Sequence, residues 1–209
     1  MVGRRCPRCL ARIRDRSAAM DFPCGGCRRR PPAVERLLAG WFYDGAMRQS
    51  LRGLKFHRLE YLGDALGTSL WTRHREVISD CTAVVPVPLH WIRTVQRGYN
   101  QSELIAAEVA RRLELPLTRA LHRRRATAAQ SGLDLSERRR NVRGAFTWRG
   151  RRTPVGGPWL LIDDVLTTGA TLDSAARTLR RAGVTRVTGL VAALTPHPSE
   201  TRPGTVLQE

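Results

Sequence analysis

The sequence has few aromatic residues, few acidic residues and no long apolar run. Aromatic side chains make up 6 % of the 209 residues. No apolar stretch reaches the ~18 residues of a membrane-spanning helix, so we expect no membrane span. The first residues lack the apolar region of a secretory signal peptide. We therefore expect a cytoplasmic protein, in a reducing compartment where paired cysteines bind metal more often than they form disulfides.

The shortage of acidic residues makes the chain strongly basic. Asp and Glu number 18 against 36 Lys and Arg, which gives a formal net charge of +18 at pH 7. Such a positive field favours polyphosphate or nucleic-acid ligands, single-stranded DNA among them. The alternative is that the arginine-rich composition only provides a solvated surface. Few aromatic residues are expected to lie where they could stack on nucleic-acid bases, which argues against nucleic-acid binding.

The length of the chain allows one α/β domain of ordinary size and a small appendage. Residues 28–32 are basic and end in two prolines, which predicts a stiff linker. We therefore predict three regions: a small metal-binding module in residues 1–31, an α/β domain in residues 32–195, and a disordered tail in residues 196–209.

Four of the five cysteines form two CxxC pairs, Cys6 with Cys9 and Cys24 with Cys27. Each pair lets two thiolates bind one ion from a tight turn, so the two pairs predict a tetrahedral zinc ribbon with structural Zn²⁺. The module has too few large apolar residues to fold on its own core, and metal binding would supply that stability. A redox dithiol is the alternative, although no thioredoxin-like pattern surrounds either pair. The remaining Cys81 is predicted to be a small core residue.

The stretch from Trp159 to Leu172 carries the clearest chemical signal. An apolar run typical of a buried parallel strand ends in Asp163 and Asp164, and a turn rich in threonine and glycine leads into an amphipathic helix. In an open α/β sheet, ligands bind beyond the carboxyl ends of the strands, where this turn lies. Backbone N–H groups at a helix N-terminus bind anions, and two carboxylates suit vicinal hydroxyls. The pattern indicates a ribose 5-phosphate ligand, with simple helix capping as the alternative.

Apolar spacing predicts the other elements of the α/β domain. A short strand or a hairpin is predicted at 37–43, and strands are predicted at 83–88 and 187–194. Helices are predicted at 44–54, 59–70, 102–115 and 172–183, and two glycines, Gly63 and Gly67, weaken the second of them. Arg93 and Arg97 are four residues apart and share a helix face just beyond the second strand.

The Trp159–Leu172 run closely resembles the phosphoribosyl pyrophosphate (PRPP) signature of the type I phosphoribosyltransferases. The resemblance implies that Asp163 and Asp164 are the catalytic pair and hold the ribose hydroxyls. It implies that the turn wraps the 5-phosphate with Leu166, Thr167, Thr168, Gly169, Ala170 and Thr171. It also implies an α/β fold with a parallel sheet flanked by helices and a hood over the ligand, and Mg²⁺ bound together with PRPP.

Further motifs resemble the ComF family, double-CxxC phosphoribosyltransferase-like proteins tied to natural competence and DNA utilisation. The motifs are Val-Pro-Val-Pro-Leu ending at Leu89, Arg-Gly-Tyr-Asn-Gln from Arg97, Ala-Gln-Ser-Gly-Leu ending at Leu133, and the segment Glu137–Phe146. The resemblance implies a transferase that displaces pyrophosphate from PRPP, with single-stranded DNA and competence-machinery proteins as further partners. It assigns pyrophosphate to the first loop, and the candidate residues are Val87, Pro88, Leu89, Arg93 and Arg97.

Several interpretations remain open at this stage. Lys55 and His57 are either a solvated helix end or cations that reach a phosphate. Residues 126–143 are either a mobile hood that brings arginines to the pyrophosphate, or a segment whose residues 136–143 form a solvated basic helix. The whole protein is either a transferase or a non-catalytic, single-stranded-DNA-binding accessory protein with a regulatory or vestigial PRPP site. No segment marks a pocket for a particular acceptor.

Overall fold

The computed structural model describes residues 4–13, 22–124, 142–150 and 157–196. The predicted hood therefore lies almost wholly outside the described residues, as does nearly all of the predicted tail. Within the described part of the chain, no helix has both the length and the apolarity that crossing a bilayer requires.

The described elements include those that the apolar spacing predicts, in the predicted order. They are α1 (Gly25–Arg29), β1 (Arg36–Phe42), α2 (Gly45–Phe56), α3 (Tyr61–Ile78), β2 (Ala83–Pro86), α4 (Trp91–Arg97), α5 (Gln101–Leu113), β3 (Leu121–Arg123), β4 (Phe146–Trp148), β5 (Trp159–Leu166), α6 (Ala170–Arg181) and β6 (Val187–Leu194). The predicted strands are confirmed as β1, β2 and β6, and the predicted helices as α2, α3, α5 and α6.

Four strands form a parallel sheet in the order β1-β6-β5-β2. β5 and β6 lie in the middle, and all eight residues of β6 are buried, as expected for a strand covered on both faces. The order brings the carboxyl ends of β2 and β5 together. The two segments that were predicted to bind ligand therefore meet at one edge of the sheet.

Apolar clusters cover both faces of the sheet. Because successive side chains of a strand point to opposite faces, Leu160 and Ile162 of β5 pack with α2, α3 and α5. Leu161 packs with α6 and with the β3–β4 ribbon on the other face. Cys81 is 4 % exposed and belongs to the first cluster, so its predicted place in the core is confirmed.

The two glycines of α3 allow that helix to approach α5 closely. A Cβ on Gly63 would stand 2.6 Å from the Cβ of Leu104, and a Cβ on Gly67 would stand 2.7 Å from the Cβ of Glu108. Glycine lowers intrinsic helix propensity by about 1 kcal/mol. Here the contact that glycine permits between the two helices maintains a helix that local propensity disfavours.

Two features of the fold differ from the sequence prediction. The prediction that the β5 strand stops at the acid pair is wrong, because β5 stays paired with β6 as far as Leu166, opposite Leu194. The antiparallel pairing of β3 with β4 was not predicted either. These strands have three residues each, too few to show an alternating pattern.

The N-terminal residues contact the α/β domain. The N–H of Leu37 in β1 donates to the carbonyl of Pro7 at 2.7 Å, and the Arg5 guanidinium lies 4.9 Å from the ring centroid of Phe42. Farther along, the N–H of Ala33 donates to Oδ1 of Asp173 in α6 at 2.7 Å. The chain before α1 thus contacts the edge strand β1, and the chain after α1 contacts helix α6.

Candidate active site

A cleft of about 310 Å³ opens at the carboxyl ends of β2 and β5. All of the predicted ribose, phosphate and pyrophosphate residues line it except Thr168. Tyr43, Arg123 and Thr195 line it as well, and none of these three was predicted. Tertiary structure thus brings together the two segments that sequence motifs had marked separately.

The acid pair lies in the wall of the cleft, with each carboxylate held by a partner. Oδ1 of Asp163 accepts from the hydroxyl of Ser102 at 2.9 Å and from the N–H of Asp164 at 2.9 Å. Oδ2 of Asp164 lies 2.6 Å from Nζ of Lys55, and both side chains are mostly buried. Lys55 therefore reaches the cleft, whereas His57 is exposed and does not line it.

Burial and the neighbouring carboxylate raise the pKa of Asp163 to about 7. Burial is the larger cause, and the charge of Asp164 adds to it. The hydrogen bonds from Asp164 N–H and Ser102 and the charge of Lys55 act in the opposite direction, because they favour the ionised carboxylate. Asp163 therefore changes charge near neutral pH, while it lies in a ligand cleft.

The turn after β5 has the geometry of an anion site. Gly169 is the N-cap of α6 and has φ 73°, a left-handed conformation that disfavours any residue with a side chain. The hydroxyl oxygen of Thr168 accepts from the N–H of Ala170 at 3.3 Å. The first N–H groups of a helix have no partner inside the helix and can bind an anion. The turn can therefore bind a phosphate mainly through its backbone.

Four cations line the cleft and come from three different elements. We define this cationic wall as Lys55 of α2, Arg93 and Arg97 of α4, and Arg123 of β3. Burial lowers the pKa of Arg97, and the charge of Asp164 opposes that effect. Burial likewise lowers the pKa of Arg123, and the charge of Asp163 opposes it. Both guanidinium groups stay charged at any physiological pH, so the wall presents fixed positive charge to an anionic ligand.

Arg123 is the cation that the sequence analysis missed. It is 9 % exposed, and its guanidinium lies 5.6 Å from the ring centroid of Phe146 in β4. Its position depends on the pairing of β3 with β4. In the sequence it is one of many arginines, and nothing in its immediate neighbours distinguishes it.

The segment after α4 connects the parts of the site. The side-chain amide of Asn100 donates to the carbonyl of Val87 at 3.0 Å, which ties the predicted pyrophosphate loop to the start of α5. The Asn100 side-chain oxygen accepts from the N–H of Ser102 at 3.2 Å and caps the helix. Ser102 in turn donates to Asp163. Two neighbouring residues thus position both the loop and the acid pair.

The same segment also holds two of the cations in place. The Tyr99 hydroxyl donates to the carbonyl of Leu54, the residue before Lys55. The guanidinium of Arg97 donates to Oε1 of Gln101 at 3.0 Å. The Arg-Gly-Tyr-Asn-Gln motif was recognised in the sequence, but its roles were not, because the partners that connect it to the rest of the site, Leu54 and Val87, lie 45 and 13 residues away in the chain.

The four paired cysteines form a separate cluster. Their sulfur atoms all lie within 4.8 Å of one another, and Cys6 and Cys27 are buried. In a tetrahedral site with Zn–S bonds of ~2.3 Å, neighbouring sulfurs stand about 3.8 Å apart; the sulfurs of Cys9 and Cys24 are 3.7 Å apart. The N–H of Cys24 also points to the sulfur of Cys6 at 3.3 Å. The donor set and its spacing fit Zn²⁺.

Comparison with known proteins agrees with this geometry. A family model for the phosphoribosyl transferase domain matches residues 100–203. The DNA utilization protein YhgH of Escherichia coli (strain K12) is 34 % identical over 173 residues, which cover 79 % of this chain and 75 % of that protein. Competence protein F of Haemophilus influenzae is 29 % identical over 173 residues, covering 78 % and 75 %.

Among solved structures, adenine phosphoribosyltransferase from Leishmania donovani matches at 14 % identity with a TM-score of 0.43, over 83 % of this chain and 92 % of that one. The two sequence relatives are much more similar to this chain in sequence than that structure is. The alignment with YhgH covers 75 % of that protein. The residues that match the phosphoribosyl transferase domain include the acid pair and the turn. The chain therefore belongs to the ComF family of phosphoribosyltransferase-like proteins.

Proposed function

We propose that this protein binds PRPP and transfers its phosphoribosyl group to an acceptor, with release of pyrophosphate. The observation that carries the proposal is the composition of the cleft: an acid pair, an amide-rich turn and a cationic wall line one cavity. Each part suits one part of PRPP. The carboxylates suit the ribose hydroxyls, the turn suits the 5-phosphate, and the wall suits the pyrophosphate.

In the proposed reaction, a nucleophilic atom of the acceptor forms a bond to C1 of the ribose as the C1–O bond to pyrophosphate breaks. The electron pair of that bond leaves with pyrophosphate, and the acceptor loses its proton to water. The protein contributes positioning through the acid pair and the turn, and it stabilises the charge that grows on the leaving group through Arg93, Arg97 and Arg123.

Asp163 and Asp164 are also the residues that fit Mg²⁺. This cation is bound in proteins by one or two carboxylates together with substrate phosphates and water. When bound with PRPP, Mg²⁺ would neutralise part of the charge of the pyrophosphate group. Lys55, whose Nζ lies 2.6 Å from Oδ2 of Asp164, holds that carboxylate in place in the cleft wall.

We place this activity in DNA utilisation or competence, because the names of the relatives describe such roles. We propose a cytoplasmic location because clustered free thiols that bind metal need a reducing compartment. Single-stranded DNA and competence proteins are the proposed partners, and the net charge of +18 supports an anionic partner. A non-catalytic DNA-binding role is less well supported. It does not explain why Ser102 and Lys55 hold an acid pair in place beside the turn.

Calorimetric titration with PRPP and Mg²⁺ tests the proposal. We expect the parent protein to bind PRPP, and the Asp163→Asn, Asp164→Asn double variant to lose that binding while it keeps its fold. Asp80→Asn is a matched control, because Asp80 is exposed and pairs with Arg186 away from the cleft. If the double variant binds PRPP and ribose 5-phosphate as the parent does, the site lies elsewhere. If single-stranded DNA competes with PRPP, the accessory role gains support.

We further propose that the cysteine cluster binds structural zinc. Elemental analysis of protein purified without added metal should find about one Zn²⁺ per chain. Cys24→Ser should lose the metal and make residues 1–31 sensitive to protease, while the α/β domain stays folded. Cys81→Ala should retain the metal, because Cys81 lies in the core of the sheet domain. A metal-free parent with a protease-resistant N-terminal region would disprove the proposal.

A further inference from the structure

A second cavity adjoins the cleft. Its volume is about 460 Å³, and it is lined by Lys55, Phe56, Arg58, Arg93, Gln96, Arg97 and Tyr99. We call it the side pocket. Lys55, Arg93 and Arg97 line both cavities, so a ligand in the side pocket would lie against the same cations as a ligand in the cleft.

The side pocket has the electrostatic character of an anion site. Four of its seven lining residues are cations, and none of the seven carries a carboxylate. Lys55 is paired with Asp164, and Arg97 donates to Gln101. Arg58 and Arg93 have no hydrogen-bond or ion-pair partner for their guanidinium groups within the described part of the chain. Arg58 is therefore a cation that the cleft does not use, and Arg93 lies where it can contact a ligand in either cavity.

The backbone at Arg58 is held in an unusual conformation. Its φ is 55°, in the left-handed region that residues with a side chain rarely adopt. Such strain persists where surrounding structure enforces it, and it is concentrated at functional sites. Here it sets the direction of the chain directly after α2, at the point where Arg58 joins the side pocket.

The side pocket also offers flat surfaces. Phe56 is 62 % exposed although it is a large apolar residue, and the Arg97 guanidinium lies 5.2 Å from its ring centroid. Bases stack on aromatic rings and on guanidinium planes. The expectation that few aromatic residues could stack on bases thus overlooked Phe56, which the end of α2 places beside four cations.

We propose that the side pocket binds a nucleotide unit of the acceptor, with the phosphate on Arg58 and Arg93 and the base on Phe56. The role of this nucleotide as acceptor rests on the proposed transferase function, whereas the binding itself does not. A free nucleoside monophosphate and the phosphorylated end of a DNA strand carry the same chemistry. Pyrophosphate on its way out of the cleft has the phosphate but no base, so Phe56 distinguishes it from a nucleotide.

Binding measurements on four proteins test the inference. The parent and the Arg58→Gln, Phe56→Leu and Arg52→Gln variants are titrated with thymidine 5′-monophosphate, pyrophosphate, and PRPP with Mg²⁺. Arg52 is the matched control, because it is an exposed arginine of α2 that lines neither cavity. We expect Arg58→Gln and Phe56→Leu each to weaken nucleotide binding at least fivefold and to leave PRPP binding within twofold. Arg52→Gln should change neither affinity.

The possible outcomes separate this inference from the proposed function. Nucleotide binding that depends on Arg58 and Phe56, in a protein that does not bind PRPP, would retain the side pocket and reject the transferase. PRPP binding without nucleotide binding, or nucleotide binding that neither variant weakens, would overturn the side pocket. Weakened pyrophosphate binding with unchanged nucleotide binding would overturn it too.

A 5′-phosphorylated thymidine oligonucleotide identifies the source of the nucleotide unit. Affinity at least tenfold above that of the mononucleotide, with the same dependence on Arg58, would indicate a DNA end. Equal affinity for the two ligands would indicate a free nucleotide. An affinity for the oligonucleotide that does not depend on Arg58 or Phe56 would count against the side pocket as its binding site.

Discussion

The turn Leu166–Thr171 and the cationic wall line the same cleft, but they are constructed in different ways. The turn is one continuous segment that offers backbone N–H groups to an anion, and it depends on a single left-handed residue, Gly169. The wall consists of four side chains between residues 55 and 123, carried by α2, α4 and β3. One anion site is therefore local in the sequence, and the other exists only after the chain has folded.

The two sites also differ in their electrostatics. The turn offers neutral N–H and hydroxyl donors, whereas the wall offers full charges, two of which are partly desolvated. A ligand such as PRPP, with a phosphate at one end and a pyrophosphate at the other, would contact one of these sites with each end. Comparing PRPP with ribose 5-phosphate, which lacks the pyrophosphate, can therefore show whether the two sites act as assigned.

The largest effect in this comparison is expected for Arg97→Gln. Hydrogen bonds to charged groups contribute about 1.5–3 kcal/mol, so PRPP affinity should fall roughly 10- to 150-fold. Ribose 5-phosphate affinity should change little, because that ligand does not reach the wall. Calorimetry with both ligands measures this, with Arg48→Gln on the exposed side of α2 as the control. Equal losses for both ligands would show that the wall does not act on the pyrophosphate specifically.

The Thr168→Val variant tests the turn with the same two ligands. Removing the hydroxyl oxygen that accepts from Ala170 should loosen the turn and cost about 1–3 kcal/mol of binding free energy. The loss should be the same for PRPP and for ribose 5-phosphate, since both carry the 5-phosphate. A loss confined to PRPP would place Thr168 with the wall and contradict the division into two sites.

The affinity for PRPP should rise with pH near neutrality. The raised pKa of about 7 means that Asp163 is mostly protonated at pH 6 and mostly ionised at pH 8. Only the ionised carboxylate accepts hydrogen bonds from the ribose on both oxygens, so affinity should increase about tenfold across that range. Titrations between pH 5.5 and about 8.5 measure the midpoint. A flat profile, after correction for ligand ionisation, would contradict the role of Asp163.

The stability of the free protein should fall as the pH rises, whereas the affinity for PRPP should increase. A carboxyl whose pKa is raised by folding binds more protons in the folded state, so its contribution to stability is lost as pH rises through the folded pKa. The parent should therefore lose stability between about pH 4 and pH 7 relative to the Asp163→Asn variant. Thermal unfolding of both proteins in one buffer series provides the measurement, and parallel curves would argue against a buried, shifted carboxyl.

The smallest effect is expected for Ser102→Ala. The variant removes one hydrogen bond to Asp163, worth about 0.5–1.5 kcal/mol. Because that bond favours the ionised carboxylate, its loss should move the midpoint of the pH profile upward and weaken PRPP binding at pH 7 only a few-fold. Ser79→Ala is the control, since Ser79 is exposed and its hydroxyl bonds to the backbone of the preceding helix. An unchanged midpoint would show that Ser102 does not act on Asp163.

Some parts of the site could be predicted because they are contiguous. The acid pair, the turn and the CxxC pairs each occupy a few consecutive residues, and a local pattern was enough to mark them. The end of β5 was predicted incorrectly, because the strand follows its neighbour β6 rather than its own apolar run. Arg123, Tyr43 and Thr195 were missed, since each reaches the cleft through an element whose position depends on distant partners.

The amino-acid sequence was enough to predict most strands and helices of the sheet domain and to mark the turn as a candidate anion site, because apolar periodicity and short-range backbone geometry are local properties. The folded arrangement determines which few of the 36 Lys and Arg residues line the cleft. It also decided that Ser102 and Lys55 support the acid pair. Electrostatic interactions and desolvation depend on distances of a few ångströms between side chains, and folding sets those distances for residues that are far apart in the chain.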